Sequence, residues 1–156
     1  MKIVYFDMDG TLADFFGVDG WLDDLMNHST RPYAIAEPLF AIEQLESLAK
    51  YFMCMGYSIG VISWCSKEND RDFDREVRKV KRQWLKENFP HCDKIHIVKY
   101  GTPKWQVAVK DDPDEMILVD DTMENLIDWQ NHGGTPMTIE NMSELIKMIQ
   151  TIKEGK

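Results

Sequence analysis

Short continuous apolar runs alternate along this chain with longer stretches in which apolar residues recur at helical spacing. The first run, Ile3-Val4-Tyr5-Phe6, reads as a strand. A helix is predicted from about Leu39 to Met55, with Phe40, Leu45, Leu48 and Phe52 at helical intervals, and Gly56 ends it. Tyr57 to Ile62 is a second strand, extended at its end by Ser63. A long helix follows from about Asp72 to Asn88 and stops before Pro90, with Phe73, Val77, Val80 and Trp84 on its core-facing stripe. The basic residues between them (Arg75, Arg78, Lys79, Lys81, Arg82) read as a solvated face, with a polyanion-facing surface as the alternative. Ile95 to Val98 is a third strand, and Thr102-Pro103 reads as the N-cap and first-turn proline of a short helix that begins with Lys104. Met116 to Val119 is a fourth strand, followed by a helix over about Thr122 to Asn131. Gly133-Gly134 breaks that helix, Pro136 to Ile139 forms a short fifth strand, and Asn141 caps a final helix. The segment from Ala13 to Pro38 shows no period and reads as irregular, aromatic and acidic.

Uninterrupted apolar strands separated by helices predict a parallel sheet covered on both faces. The expected fold is α/β: a three-layer α/β/α Rossmann-like sandwich with a mainly parallel five-stranded sheet. No internal repeat, low-complexity tract or linker divides the 156 residues, which suit one domain spanning 1–156. The stretch at about 13–38 is a short flap or minimal cap inserted into it.

Charge and cysteine usage narrow the function classes. A net charge of -9 argues against a nucleic-acid polymer or an anionic membrane as partner. A small anionic substrate stays possible, because a metal ion and a lysine reverse the field within one pocket. No apolar stretch has membrane-spanning length, and the chain opens on a strand. Cys54, Cys65 and Cys92 are odd in number and lack metal-ligand spacing, which fits reduced thiols in a cytoplasmic protein. His28, His91, His96 and His132 show no ligand spacing either.

The chemistry is concentrated at strand ends. The first strand runs into Asp7-Met8-Asp9-Gly10-Thr11, two carboxylates two positions apart, which the strand period of two sends off the strand end on the same side, before a glycine that permits a turn. Carboxylates held this close repel unless a positive charge sits between them, and a hard divalent cation with oxygen ligands is the natural candidate. Strand two ends at Ser63, strand four at Asp120-Asp121, and Lys104 opens the helix between strands three and four. Sites in doubly wound sheets lie beyond the carboxyl ends of the strands, so these four pieces converge on one rim. Lys104 is preferred to Lys99 or Lys110, since a lysine at a helix start joins the local dipole in attracting phosphate. Asp7, Asp9, Asp120 and Asp121 supply four negative charges against three positive ones from Mg2+ and Lys104. The remaining charge favours a proton on one carboxylate, with Asp9 as its expected holder.

This set resembles the haloacid dehalogenase-like phosphohydrolases in order, spacing and strand context over nearly the whole chain. The resemblance implies that Asp7 is the nucleophile, forming an aspartyl-phosphate, and that Asp9 is the acid and base. It implies Ser63 and Lys104 as phosphate ligands, and Mg2+ held by Asp7, Asp120 and Asp121 with the Asp9 backbone carbonyl. Asp121 is either a direct ligand or an anchor for metal-bound water. Trp64, beside Ser63, is either core or a ring that stacks on substrate. Cys65 lies near the site without a paired base and is read as a bystander.

The stretch Asp7 to Phe15 looks like the start of the 5'(3')-deoxyribonucleotidase branch, which carries a larger cap than this chain holds. Phe15, Phe16, Trp21 and Tyr33 offer flat apolar surface, and Asp14, Asp19, Asp23 and Asp24 make the insertion acidic. A small phosphorylated substrate such as a nucleotide is expected; a larger phosphorylated partner, a non-catalytic binding role, or closure of the site by a second subunit in a homodimer are the alternatives. A receiver-like signalling domain fits poorly, because receivers place the acidic pair first and the lysine last.

Overall fold

A computed structural model of the chain describes residues 1–155. Five parallel strands form one sheet in the order β3-β2-β1-β4-β5: β1 Lys2–Phe6, β2 Tyr57–Trp64, β3 Lys94–Val98, β4 Glu115–Val119 and β5 Thr135–Met137. The helices are α1 Trp21–Met26, α2 Arg31–Ile35, α3 Ile42–Cys54, α4 Arg71–Asn88, α5 Lys104–Val109, α6 Met123–Asn131 and α7 Ile139–Glu154.

Alternation along β1 sorts the two cores. Val4 and Phe6 pack with Leu45, Leu48 and Phe52 of α3, Trp84 and Leu85 of α4, and Met142 and Ile146 of α7. Ile3 and Tyr5 face the other way, onto Val107 and Ala108 of α5 and Leu126 and Trp129 of α6. Each such ring or branched chain contributes about 1.5–3 kcal/mol when fully buried. Tyr5 lies across Gly60 of β2, where a Cβ would come within 2.7 Å of the ring, so only glycine fits there. The Tyr5 hydroxyl donates to Asp111 at 2.7 Å, and Asp111 also contacts His96 Nε2 at 2.8 Å, which ties the end of α5 to β1 and β3.

The structure corrects several local readings. The segment 13–38 is not irregular: it holds a 3-10 turn at Phe15–Gly17 and the two short helices α1 and α2. Helices of five or six residues are too short to show a period. Asp14 N donates to Glu37 O and Leu39 N to Leu12 O, each at 2.8 Å, so the insertion leaves and returns side by side. Its inner face, Phe15, Leu25 and Tyr33, packs on Phe73 and Val77 of α4. Pro103, not Thr102, occupies the N-cap of α5, and the Thr102 hydroxyl instead donates to Lys99 O. Thr138, not Asn141, caps α7; Asn141 closes the capping box from the third position.

Candidate active site

Strand register builds the site. Phe6 lies opposite Val119 in the β1–β4 pair, and both side chains enter the core beneath α3, α4 and α7. The next residues, Asp7 and Asp120, are therefore neighbours across the sheet and turn towards the α5 side. Lys104, the first residue of α5, answers both: its Nζ donates to Asp7 Oδ1 at 2.8 Å and to Asp120 Oδ2 at 2.7 Å. Burial works against the Lys104 ammonium, yet Asp7 and Asp120 outweigh it and hold its pKa above the ordinary lysine value. Burial raises the Asp7 pKa well above the usual carboxylate range, a rise that Lys104 opposes and the charges of Asp120 and Asp9 reinforce. Lys99 and Lys110 are exposed.

The opposite face supplies a second buried cation. Ser63 shares the parity of Val61 and so points towards α4, not α5. There Lys81 of α4, with no exposed surface, donates to Asp9 Oδ2, Ser63 Oγ and the Trp64 carbonyl, each at 2.8 Å. Lys81 thus departs from the solvated face expected of the basic run. Arg75, Lys79 and Arg82 are exposed, whereas Arg78 reaches the Ile97 carbonyl at 3.0 Å. The signal was present in the spacing: Lys81 falls four residues after Val77 and eight after Phe73, on the buried stripe itself. Lys81 also changes the charge count, since two ammonium groups and one divalent cation now match four carboxylates.

Asp7, Asp120 and Asp121 each present an oxygen within 4.8 Å of the others, an arrangement that fits a hard divalent cation. The Asp9 side chain is turned to Lys81 instead, which leaves its backbone carbonyl as the group expected from it. Gly10 has φ +81°, and a Cβ there would drive into the Asp121 carboxylate, so glycine is required for the close approach. Asp120 is held further by Thr122 N at 2.9 Å and Asn125 Nδ2 at 3.1 Å. Asn125, in the first turn of α6, carried no sequence signal.

A cavity of about 440 Å3 opens over these groups. Asp7, Asp9, Lys104, Asp121 and Asn125 line its polar part, and Phe15, Phe16, Trp21, Tyr33, Trp64 and Tyr100 its aromatic part. Ser63 is buried and is not part of this wall. Phe15 and Tyr33 are buried at ring-centroid separation 4.7 Å, whereas Phe16 is 54% exposed and stands at the rim. Trp64 is a cavity wall: its Nε1 donates to Thr102 O at 2.8 Å, and Lys104 Nζ lies 5.5 Å from its ring centroid. Cys65 also borders the cavity, but burial raises its thiol pKa and disfavours a reactive thiolate.

No protein-family model matches the chain, and no curated protein matches it. Several solved structures are similar in fold, and two of them illustrate the likeness. One is a D,D-heptose 1.7-bisphosphate phosphatase from B. bronchiseptica complexed with magnesium and phosphate, at TM-score 0.58 and 16% identity, covering 87% of this chain and 79% of that one. The other is a hydrolase from Streptococcus pneumoniae TIGR4, at TM-score 0.58 and 9% identity, covering 92% of this chain and 97% of that one. The chain shares with both the α/β fold that the resemblance to haloacid dehalogenase-like phosphohydrolases implies.

Proposed function

We propose that the protein is a phosphatase that hydrolyses phosphate monoesters through an aspartyl-phosphate on Asp7, with nucleoside monophosphates, including deoxynucleotides, as its substrate class. The observation that carries this reading is Lys104 lodged between Asp7 and Asp120, with Asp121 completing a cation-binding set beside them. The structural likeness to a phosphatase complexed with magnesium and phosphate supports it.

An Asp7 carboxylate oxygen attacks phosphorus; the bond from phosphorus to the leaving oxygen breaks, and that oxygen takes its electron pair and a proton from Asp9. Water then attacks the aspartyl-phosphate, gives its proton to Asp9, and releases inorganic phosphate and the Asp7 carboxylate. Lys104 holds Asp7 in place and offsets charge on the incoming phosphoryl group. Mg2+, held by Asp7, Asp120 and Asp121, would neutralise charge on the transferring phosphoryl oxygens. The rings of Phe16, Trp21 and Trp64 give a base a stacking surface, which supports a small aromatic substrate over a bulky phosphorylated partner. Among the described residues no helix is long and apolar enough to cross a membrane. Its cysteines are unpaired, which accords with a cytoplasmic location.

The test is phosphate release in the presence of Mg2+ from a panel of nucleoside monophosphates, sugar phosphates and p-nitrophenyl phosphate, with Asp7→Asn as control. Metal-dependent release that is lost in Asp7→Asn, fastest from nucleotides, is the expected result. Release that persists in Asp7→Asn overturns the nucleophile assignment, and none from any ester overturns the catalytic reading.

A further inference from the structure

Lys81 has no part in the chemistry just assigned to Asp7, Lys104 and Asp120, yet it is among the most costly placements in the protein. Its side chain is fully buried on a helix whose other buried residues are Phe73, Val77, Trp84, Leu85 and the carboxylate Asp74. An ammonium taken out of water costs several kcal/mol, roughly, unless acceptors replace the water it loses. Here the replacement is complete. Three N–H groups meet three acceptors at 2.8 Å, Asp9 Oδ2, Ser63 Oγ and Trp64 O, and the Tyr33 ring of the insertion lies 4.8 Å away. One cation from α4 therefore ties the turn after β1 to the end of β2, beneath the insertion.

We infer that Lys81 is a positioning residue for proton transfer, acting through Asp9. This rests on the phosphatase reading. By engaging Oδ2, Lys81 restrains the rotation of the Asp9 carboxyl and leaves Oδ1 as the oxygen that exchanges a proton with the leaving group. As the phosphorus–oxygen bond breaks, the leaving oxygen keeps the electron pair and takes the proton from Oδ1, and Asp9 becomes a carboxylate. The bond that Ser63 Oγ accepts from Lys81 gives Ser63 a further role, anchoring the ammonium rather than meeting phosphate alone.

Leaving-group dependence separates this role from simple support of the fold. Wild type and Lys81→Met are compared, with Mg2+, on the best alkyl phosphate of the panel and on p-nitrophenyl phosphate. The alkoxide leaving group needs a proton; the nitrophenolate does not. In the first turnover, before the Asp9-assisted hydrolysis that both esters share, Lys81→Met is expected to slow leaving-group release about 100-fold on the alkyl ester at little-changed KM, and less than about threefold on the aryl ester. In an Asp9→Asn background, Lys81→Met is expected to cost nothing further on the alkyl ester. Melting curves establish that the variant is folded; if Lys81→Met is not, the same comparison is read on Lys81→Gln, which keeps two donors. Equal losses on both esters, or a loss confined to KM, overturn the inference and leave the phosphatase reading standing. A wild-type protein inactive on every ester overturns that reading, and the role of Lys81 with it.

Discussion

Lys104 Nζ donates to Asp7 Oδ1 at 2.8 Å although 97 residues separate them, and the same ammonium reaches Asp120. Replacing it by alanine leaves two adjacent buried carboxylates without their cation. Lys104→Ala is expected to destabilise the fold by about 3–5 kcal/mol, and to lower phosphatase activity by about 100-fold or more. Lys99→Ala, on the exposed surface, is expected to stay within about 0.5 kcal/mol of wild type with unchanged turnover. Chemical denaturation and phosphate release check both; equal losses in the two variants would assign the wrong lysine.

Cation binding is readable without catalysis. If Asp7, Asp120 and Asp121 hold Mg2+, the ion stabilises the folded state by about 2.7 kcal/mol at a hundredfold excess over its Kd. Wild type is expected to melt at higher temperature as Mg2+ is added, whereas Asp121→Asn stays nearly flat over the same titration. An equal shift in both proteins would take Asp121 out of the cation site.

The rim of the cavity predicts a split in KM. Phe16 lines the cavity while remaining largely exposed, so alanine there removes stacking surface without disturbing a core. Aromatic stacking on a base is worth about 1–3 kcal/mol, so Phe16→Ala is expected to raise KM for a nucleotide by roughly tenfold. A sugar phosphate, which has no aromatic base to stack, should be unaffected. Parallel changes for the two substrates would remove Phe16 from base recognition.

Away from the site, Asp111 sets a pH dependence. Burial raises its pKa, but the hydrogen bonds from Tyr5 and His96 outweigh burial and hold it below the ordinary value of 3.8. A carboxyl whose folded pKa is depressed stabilises the protein above its unfolded pKa and loses that contribution as pH falls through the folded one. Asp111→Ala is therefore expected to cost about 1–3 kcal/mol at neutral pH. The gap to wild type should close as pH drops below the ordinary carboxylate range. A gap that stays constant down to strong acid would show that Asp111 acts through packing rather than charge.

The parallel five-stranded sheet and the acidic strand ends were legible because both follow from short-range rules. Apolar runs such as Ile3 to Phe6 and Met116 to Val119 are too continuous for a half-exposed strand, and side chains alternate with a period of two. That alternation was enough to send Asp7 off the end of β1 towards Lys104, and strand order brought Asp120 to the same rim; Asp9, already in the turn beyond the strand, meets Lys81 on the α4 side instead. The insertion was harder to read, since α1 and α2 together span only a few turns and are held by Phe15, Leu25 and Tyr33 packing on α4. Caps misplaced at Thr102 and Asn141 have a smaller cause: neighbouring Thr, Pro and Asn residues compete for one position, and backbone geometry chooses among them.

What the chain determined by itself is the order of its strands and of the helices between them outside the insertion, and the end of the sheet at which its carboxylates gather, because hydrophobic period and strand polarity are local properties. What only the tertiary structure decided is which charges meet. Lys81 lies among Arg78, Lys79 and Arg82 in sequence; its spacing from Val77 marks the face it shares, but not the acceptors that let a cation stay there. Those are assembled when α4 packs on the sheet and under Tyr33, excluding water from one lysine while Asp9, Ser63 and Trp64 supply the oxygens that water would have given. Burial and pairing of a charge depend on residues far apart in the chain, so they exist only once the layers have closed on one another.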